Sequence, residues 1–274
     1  SWVSALFRRS LIMEAIDEDF LDDNASICTG DLASGVEDVG SPTHERLIAA
    51  HVLLERCLKG PVGGELRSLV RPQFVTALLD LLAEADRFQL VPVKLLSCIA
   101  TLPEGADTLE AVRALGVVLS VLRAADEALL VGASLMFLAN MAPRSGAVMS
   151  LCRQTGGVRI LIRTLWLWYG DVEIVSPLLC IIEAALCLPV HRAVLDSRVA
   201  ISGEGVPVGL LPALERIAAN SSGKGRALQG LGRKASRLAR EWECIARSTS
   251  RGASPRLAER EAAVRVEPPA GREA

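Results

Sequence analysis

Aromatic residues make up only 4% of this 274-residue chain, while apolar residues make up half of it. A core so poor in aromatic side chains and so rich in Leu and Ala argues for helices over sheets. Histidine is scarcer still, with only His44, His51 and His191. That leaves little material for general-base catalysis or for an imidazole metal site. No two of the seven cysteines form a C-x-x-C pair. Cys180 and Cys187 fall on roughly one face of a helix, but with no His or third Cys nearby they read as core packing. Cys187 and His191 are separated by Pro189, which breaks the helix between them. A phosphate-binding glycine loop is also missing. "GPVGGE" at 60–65 has no following Lys-Ser/Thr pair and no strand before it, so it reads as a turn. "DEDFLDDN" at 17–24 lacks the alternating ligands and sixth-position Gly of a calcium loop. The expectation is a chain with no catalytic residues, no metal site, no cofactor and no small-molecule substrate. A net charge of -2 argues against general nucleic-acid binding.

A membrane-length apolar run is missing too. The longest candidate, "GVRILIRTLWLWYGDVEIVSPLLCIIEAALC" from Gly157 to Cys187, is interrupted at Tyr169-Gly170-Asp171 and again at Ser176-Pro177. A spanning helix needs about 20 apolar residues in a row. Gly170 followed by Asp171 reads as a helix stop and then an N-cap, so the spacing predicts two helices, near 157–169 and 172–188. Pro177 should bend the second or start it late. Both are apolar on more than one face, as helices buried between neighbours are.

A stack of such helices should repeat. One pattern recurs from Val75, Leu115, Val158 and Val208, with apolar residues following at steps of three to seven. These starts lie 40, 43 and 50 residues apart. A second pattern starts at Leu90, Leu130 and Ile174, with small or apolar residues at +3, +5, +8 and +11; a weaker copy runs from Leu47. Between the pairs lie short third segments: "EGADTLEAVRAL", "SGAVMSLCRQTG" and "HRAVLDSRV". The Gly-rich 196–209 stretch lengthens the last spacing and reads as a loop. Trp166, Trp168 and Tyr169 cluster at one helix end, for packing between units or for an interface. Trp166 and Trp168 cannot share a helix face.

"GAVMSLCRQTGGVRILIRTL" resembles the junction of an armadillo repeat, where a short first helix ends at a Gly-Gly turn into the second. "EALLVGASLMFLANMA" resembles the third helix of that family. The resemblance spans about 43–245. It implies a right-handed all-α solenoid of about four to five repeats, with a two-helix HEAT-type array as the alternative. In the family, third helices line a concave groove, and a Trp and an Asn four residues apart hold an extended peptide. Carried over by position, the pairs here are Leu96 and Ala100, Met136 and Asn140, and Cys180 and Ala184. Asn140 alone keeps the family residue, so the resemblance implies an apolar groove and not one for basic peptides.

Charge divides the ends. Nine acids and no Lys or Arg lie between Glu14 and Asp38; nine bases against two acids lie between Lys224 and Arg256. Leu228, Leu231, Ala235, Leu238, Trp242 and Ile245 make an apolar stripe along one helix, a cap for the stack. Arg233, Arg237 and Arg240 lie on its other side, facing water or an acidic partner or RNA. The expected organisation is an acidic, partly disordered arm over 1–42, a repeat domain over 43–245, and a flexible polar tail over 246–274. "SWVSALFRRSLIM" does not read as a secretory signal. With its unpaired cysteines, the chain is expected inside the cell in a reducing compartment, the cytoplasm or an organelle matrix. The expected role is a non-enzymatic adaptor or scaffold that binds a partner protein's apolar or helical segment in the groove. The alternatives are an accessory subunit of a large organellar or cytoskeletal complex, or an RNA-associated protein using the basic helix.

Overall fold

The computed structural model describes residues 28–59, 64–85, 88–153, 156–201, 205–221 and 225–252. These residues are all-α: helix accounts for 78%, with fourteen helices and no strand. In chain order the helices are α1 (Thr29–Glu37), α2 (Thr43–Lys59), α3 (Gly64–Ser68), α4 (Pro72–Glu84), α5 (Leu90–Ile99), α6 (Pro103–Ala111) and α7 (Ala114–Ala124). There follow α8 (Ala128–Met141), α9 (Ser145–Arg153), α10 (Gly157–Leu167), α11 (Val172–Leu186), α12 (His191–Asp196), α13 (Leu210–Asn220) and α14 (Arg226–Gly252).

The packing order is regular. Helix α2 packs on α5, α5 on α8, α8 on α11 and α11 on α14. A second series joins α1 to α4, α7 to α10 and α10 to α13. The short helices α3, α6, α9 and α12 bridge the two series. Buried apolar side chains form a continuous cluster from Leu32 in α1 to Trp242 in α14. Neighbours in the chain are neighbours in space, as short connections require.

Local chemistry explains where helices begin. Asp171 caps α11, its carboxylate accepting from the backbone N–H groups of Glu173 at 2.9 Å and Ile174 at 3.3 Å. This cap divides the 157–187 stretch into α10 and α11, and no helix among the described residues is long and apolar enough to cross a membrane. Helix α11 runs unbroken from its cap through buried Pro177, so the proline does not delay its start. Pro72 and Pro103 open α4 and α6, where the missing N–H is not needed. Between α9 and α10, Gly156 has φ of 92°. A Cβ on Gly157 would stand 2.2 Å from the Leu151 carbonyl oxygen, so only glycine lets the two helices meet so closely. The 196–209 loop joins α12 to α13, and an isolated antiparallel bridge ties Val199 to Val208 across it.

The packed body begins before residue 43. Helix α1 buries Leu32, Ala33 and Val36 against α2 and α4; Asp31 is exposed, while Glu37 pairs with Arg71 at the start of α4, 2.8 Å away. Arg46 fastens this end. It is 1% exposed; its Nε donates to the Val36 carbonyl at 3.0 Å, one Nη to the Ala77 carbonyl at 3.2 Å and the other to Glu84 at 3.0 Å. At the other end α14 continues to Gly252. The arm over 1–27 and the tail beyond 252 lie outside the described residues.

Candidate interaction surface

The face formed by α8 and α11 is built from one side of each helix. On α8, Leu129, Ala133, Met136 and Asn140 are half-buried, while Val131, Ser134, Leu135, Phe137 and Leu138 are buried. Their spacing of three and four residues makes one stripe. On α11 the matching stripe is Ser176, Cys180, Glu183, Ala184 and Cys187. Met136, Asn140, Cys180 and Ala184 are therefore brought to one side of the molecule. Leu96 and Ala100 are not: they are 0% and 4% exposed and face the core. Helix α5 is buried from Val91 to Ser97, and its accessible residues are Leu90 and Cys98. Seven consecutive buried residues take in every face of a helix at about 3.6 residues per turn, so α2 and α8 close over α5 from both sides and leave it no groove face.

Asn140 is already engaged. Its side-chain amide donates to the Ser97 carbonyl at 3.0 Å and hydroxyl at 3.2 Å. It therefore ties α8 to α5. At the far edge, Glu183 of α11 meets Lys234 of α14 at 2.8 Å and also pairs with Arg237. The hydrogen bonds from Lys234 and Arg237 hold the Glu183 carboxyl below its ordinary range. Lys234 also approaches the Cys180 sulfur at 3.4 Å.

These pairs change the expected basic face. Arg237 is bound to Glu183 and Glu241, so it belongs to the α11–α14 seam. Arg233 and Arg240 remain exposed on α14. Ala235, Leu238 and Trp242 are fully buried beneath them, with Leu228, Leu231 and Ile245 half-buried. A shallow depression lies where α14 leaves α11, lined by Leu186, Arg240, Glu241, Cys244 and Ile245.

Sequence reasoning missed Glu183, Arg216 and Ser97. A lone acid in the apolar run "CIIEAALC" was a visible signal for Glu183. Arg216 had none, because its partners come from another unit. Its guanidinium lies between the Trp166 and Tyr169 rings, 4.2 Å from each centroid. The aromatic cluster thus joins α10 to α13 by cation–π stacking, with Leu167 exposed beside it.

The buried polar groups lie elsewhere. His51 in α2 is 1% exposed, and neither ring nitrogen has a hydrogen-bond partner among the described residues. Lys94 of α5 is 4% exposed and acts on it electrostatically. His44 is exposed. Among the described residues no group of three or more His, Cys, Asp or Glu is placed to hold a metal ion. A small void beneath α10 and α11 is lined by apolar side chains and Cys152.

No protein-family model matches this chain, and no curated protein matches it. Among solved structures, the chain is similar to an engineered protein from a structural genomics programme. The two are 16% identical with a TM-score of 0.48, over 82% of this chain and 96% of the other. Likeness at that level assigns neither family nor function.

Proposed function

We propose that this chain is an armadillo-type α-solenoid that works as a non-enzymatic adaptor or scaffold. It holds an apolar or helical segment of a partner protein against the α8–α11 face. The observation that carries this reading is the half-buried stripe Leu129, Ala133, Met136 and Asn140 beside Ser176 and Cys180. It is apolar at its centre and polar at its rim, the usual anatomy of a protein-binding patch. Two features support the solenoid. The helices of each series pack in chain order, and Arg113 and Gly156 place a positive φ at corresponding turns. Free cysteines suit a reducing compartment. The RNA reading is weaker, because Arg237, though exposed, is paired with Glu183 and Glu241.

A photo-crosslinking residue at Met136, with a second at Arg163 as a control, tests the reading in native lysate. Arg163 is exposed on α10. One stoichiometric protein captured from Met136 alone, and lost in Met136→Glu with an unchanged melting curve, supports the adaptor. Equal capture from both positions, or the same capture by Met136→Glu, rejects it.

A further inference from the structure

Helix α14 carries a second feature at the open end of the stack. Arg226, Arg233, Arg240 and Arg247 recur every seven residues, and all four are exposed. Seven residues bring a helix within about 20° of its starting direction. The four guanidinium groups therefore line one stripe about 32 Å long at 1.5 Å per residue. The acids on this helix neutralise only one end of it: Glu243 pairs with Arg247, and Glu241 is held by Arg237, outside the stripe, which leaves Arg226, Arg233 and Arg240 without an ion pair among the described residues. Among the described helices, α14 packs on α11, α12 and α13; the four arginines stay exposed beside those contacts, with Arg240 at the edge of the depression it shares with Leu186 of α11.

The opposite charge lies at the other end. The Glu14–Asp38 stretch has nine acids and no base. Its described members include exposed Asp31 and Asp38. Ser41 and the Gly40 backbone N–H hydrogen-bond the Asp38 carboxylate and keep it ionised. Helix α1 touches α2, α3 and α4, and shares no neighbour with α14. From α2 to α14 there are four helix-to-helix steps of about 8–10 Å, or about 32–40 Å along the series. The stripe and the described acids Asp31 and Asp38 are different surfaces at opposite ends of the helix series, so contact between copies through them is head-to-tail and open to growth, not a closed two-fold dimer.

We propose that the α14 arginine stripe is a docking face for the acidic Glu14–Asp38 stretch of a second copy of this chain. The proposal is independent of any partner on the α8–α11 face. Sedimentation velocity of the full chain over a range of concentrations, at about 50 mM and about 500 mM salt, tests it. The expected result is species that grow with concentration at low salt and associate at least about tenfold more weakly at high salt. Two charge-reversed variants, Arg226→Glu/Arg233→Glu/Arg240→Glu and Asp17→Lys/Asp19→Lys/Asp22→Lys, should each be monomeric. Mixed together, they should associate again, because the acidic arm of the first meets the intact stripe of the second and the two reversed ends are complementary to each other as well. If a triple variant melts early by circular dichroism, Arg233→Glu replaces the stripe variant and Asp19→Lys the acidic one; the weaker self-association of each is then read.

A chain that stays monomeric at low salt overturns the proposal, including the case in which its own acidic stretch folds back onto α14. So does self-association that the stripe variant leaves intact. An RNA oligonucleotide that binds the stripe while the protein remains monomeric also overturns it, and assigns the stripe to nucleic acid.

Discussion

Arg113 and Gly156 adopt the same left-handed backbone, with φ of 59° and 92°. Each is the last residue before a long helix, α7 and α10 respectively, at the turn from a short one. Glycine adopts this conformation freely; a side chain strains it by about 1–2 kcal/mol. Arg113→Gly should therefore leave the protein as stable or more stable, by up to about 1 kcal/mol. Gly156→Ala should lose about 1–2 kcal/mol. Gly157→Ala, which meets the Leu151 carbonyl, should cost at least about 1–3 kcal/mol. Urea unfolding of the three variants checks the order. Equal effects at 113 and 156 would show that the two turns are not equivalent.

Arg46 and Glu84 form an asymmetric pair, since their side chains are 1% and 41% exposed. Removing the arginine orphans the Val36 and Ala77 carbonyls as well as the carboxylate. Arg46→Ala should cost about 3–5 kcal/mol. Glu84→Gln keeps an acceptor in partly wet surroundings and should cost less than about 1 kcal/mol. Chemical denaturation gives both values, and similar losses would make the carboxylate the anchor.

His51 should make stability fall in mild acid. Burial pushes its imidazole down from the ordinary value, with Glu55 opposing and Lys94 and Lys59 adding. The unfolded chain then takes up the proton more readily than the folded one. The contribution is complete above the ordinary pKa near 6.5 and is lost as pH falls below it. Glu183, held below its ordinary value of 4.5, acts only in stronger acid. Denaturation midpoints at pH 7.5 and pH 5.5 should differ clearly for the wild type and much less for His51→Leu. An equal drop in both would place the sensitive group elsewhere.

Thiol labelling should split the cysteines in two. Burial pushes the Cys57 thiol up to about 12, and Cys98 and Cys152 up to about 11. Cys28, Cys180, Cys187 and Cys244 are exposed. With iodoacetamide at pH 8, the exposed four should react before the other three, which should follow at the rate of opening. Peptide mass spectrometry at early times reads this directly.

Periodicity and end signals were enough to locate most helices. The Tyr169-Gly170-Asp171 break marked the α10–α11 division because an N-cap is a local bond. Gly156-Gly157 marked the α9–α10 turn because its backbone demand is local too. Even the burial of Trp242 followed from one stripe along one helix. Contacts between units left no such trace. The burial of Leu96 and Ala100 depends on how α2 and α8 close over α5 from both sides. The early start of the packed body depends on Arg46 reaching two carbonyls far away in sequence. Arg237 looked like a free cation until α11 brought Glu183 against it. A side chain's own neighbours in sequence set its conformation and its face, while its charge partner and its access to water are set by helices that only folding brings near.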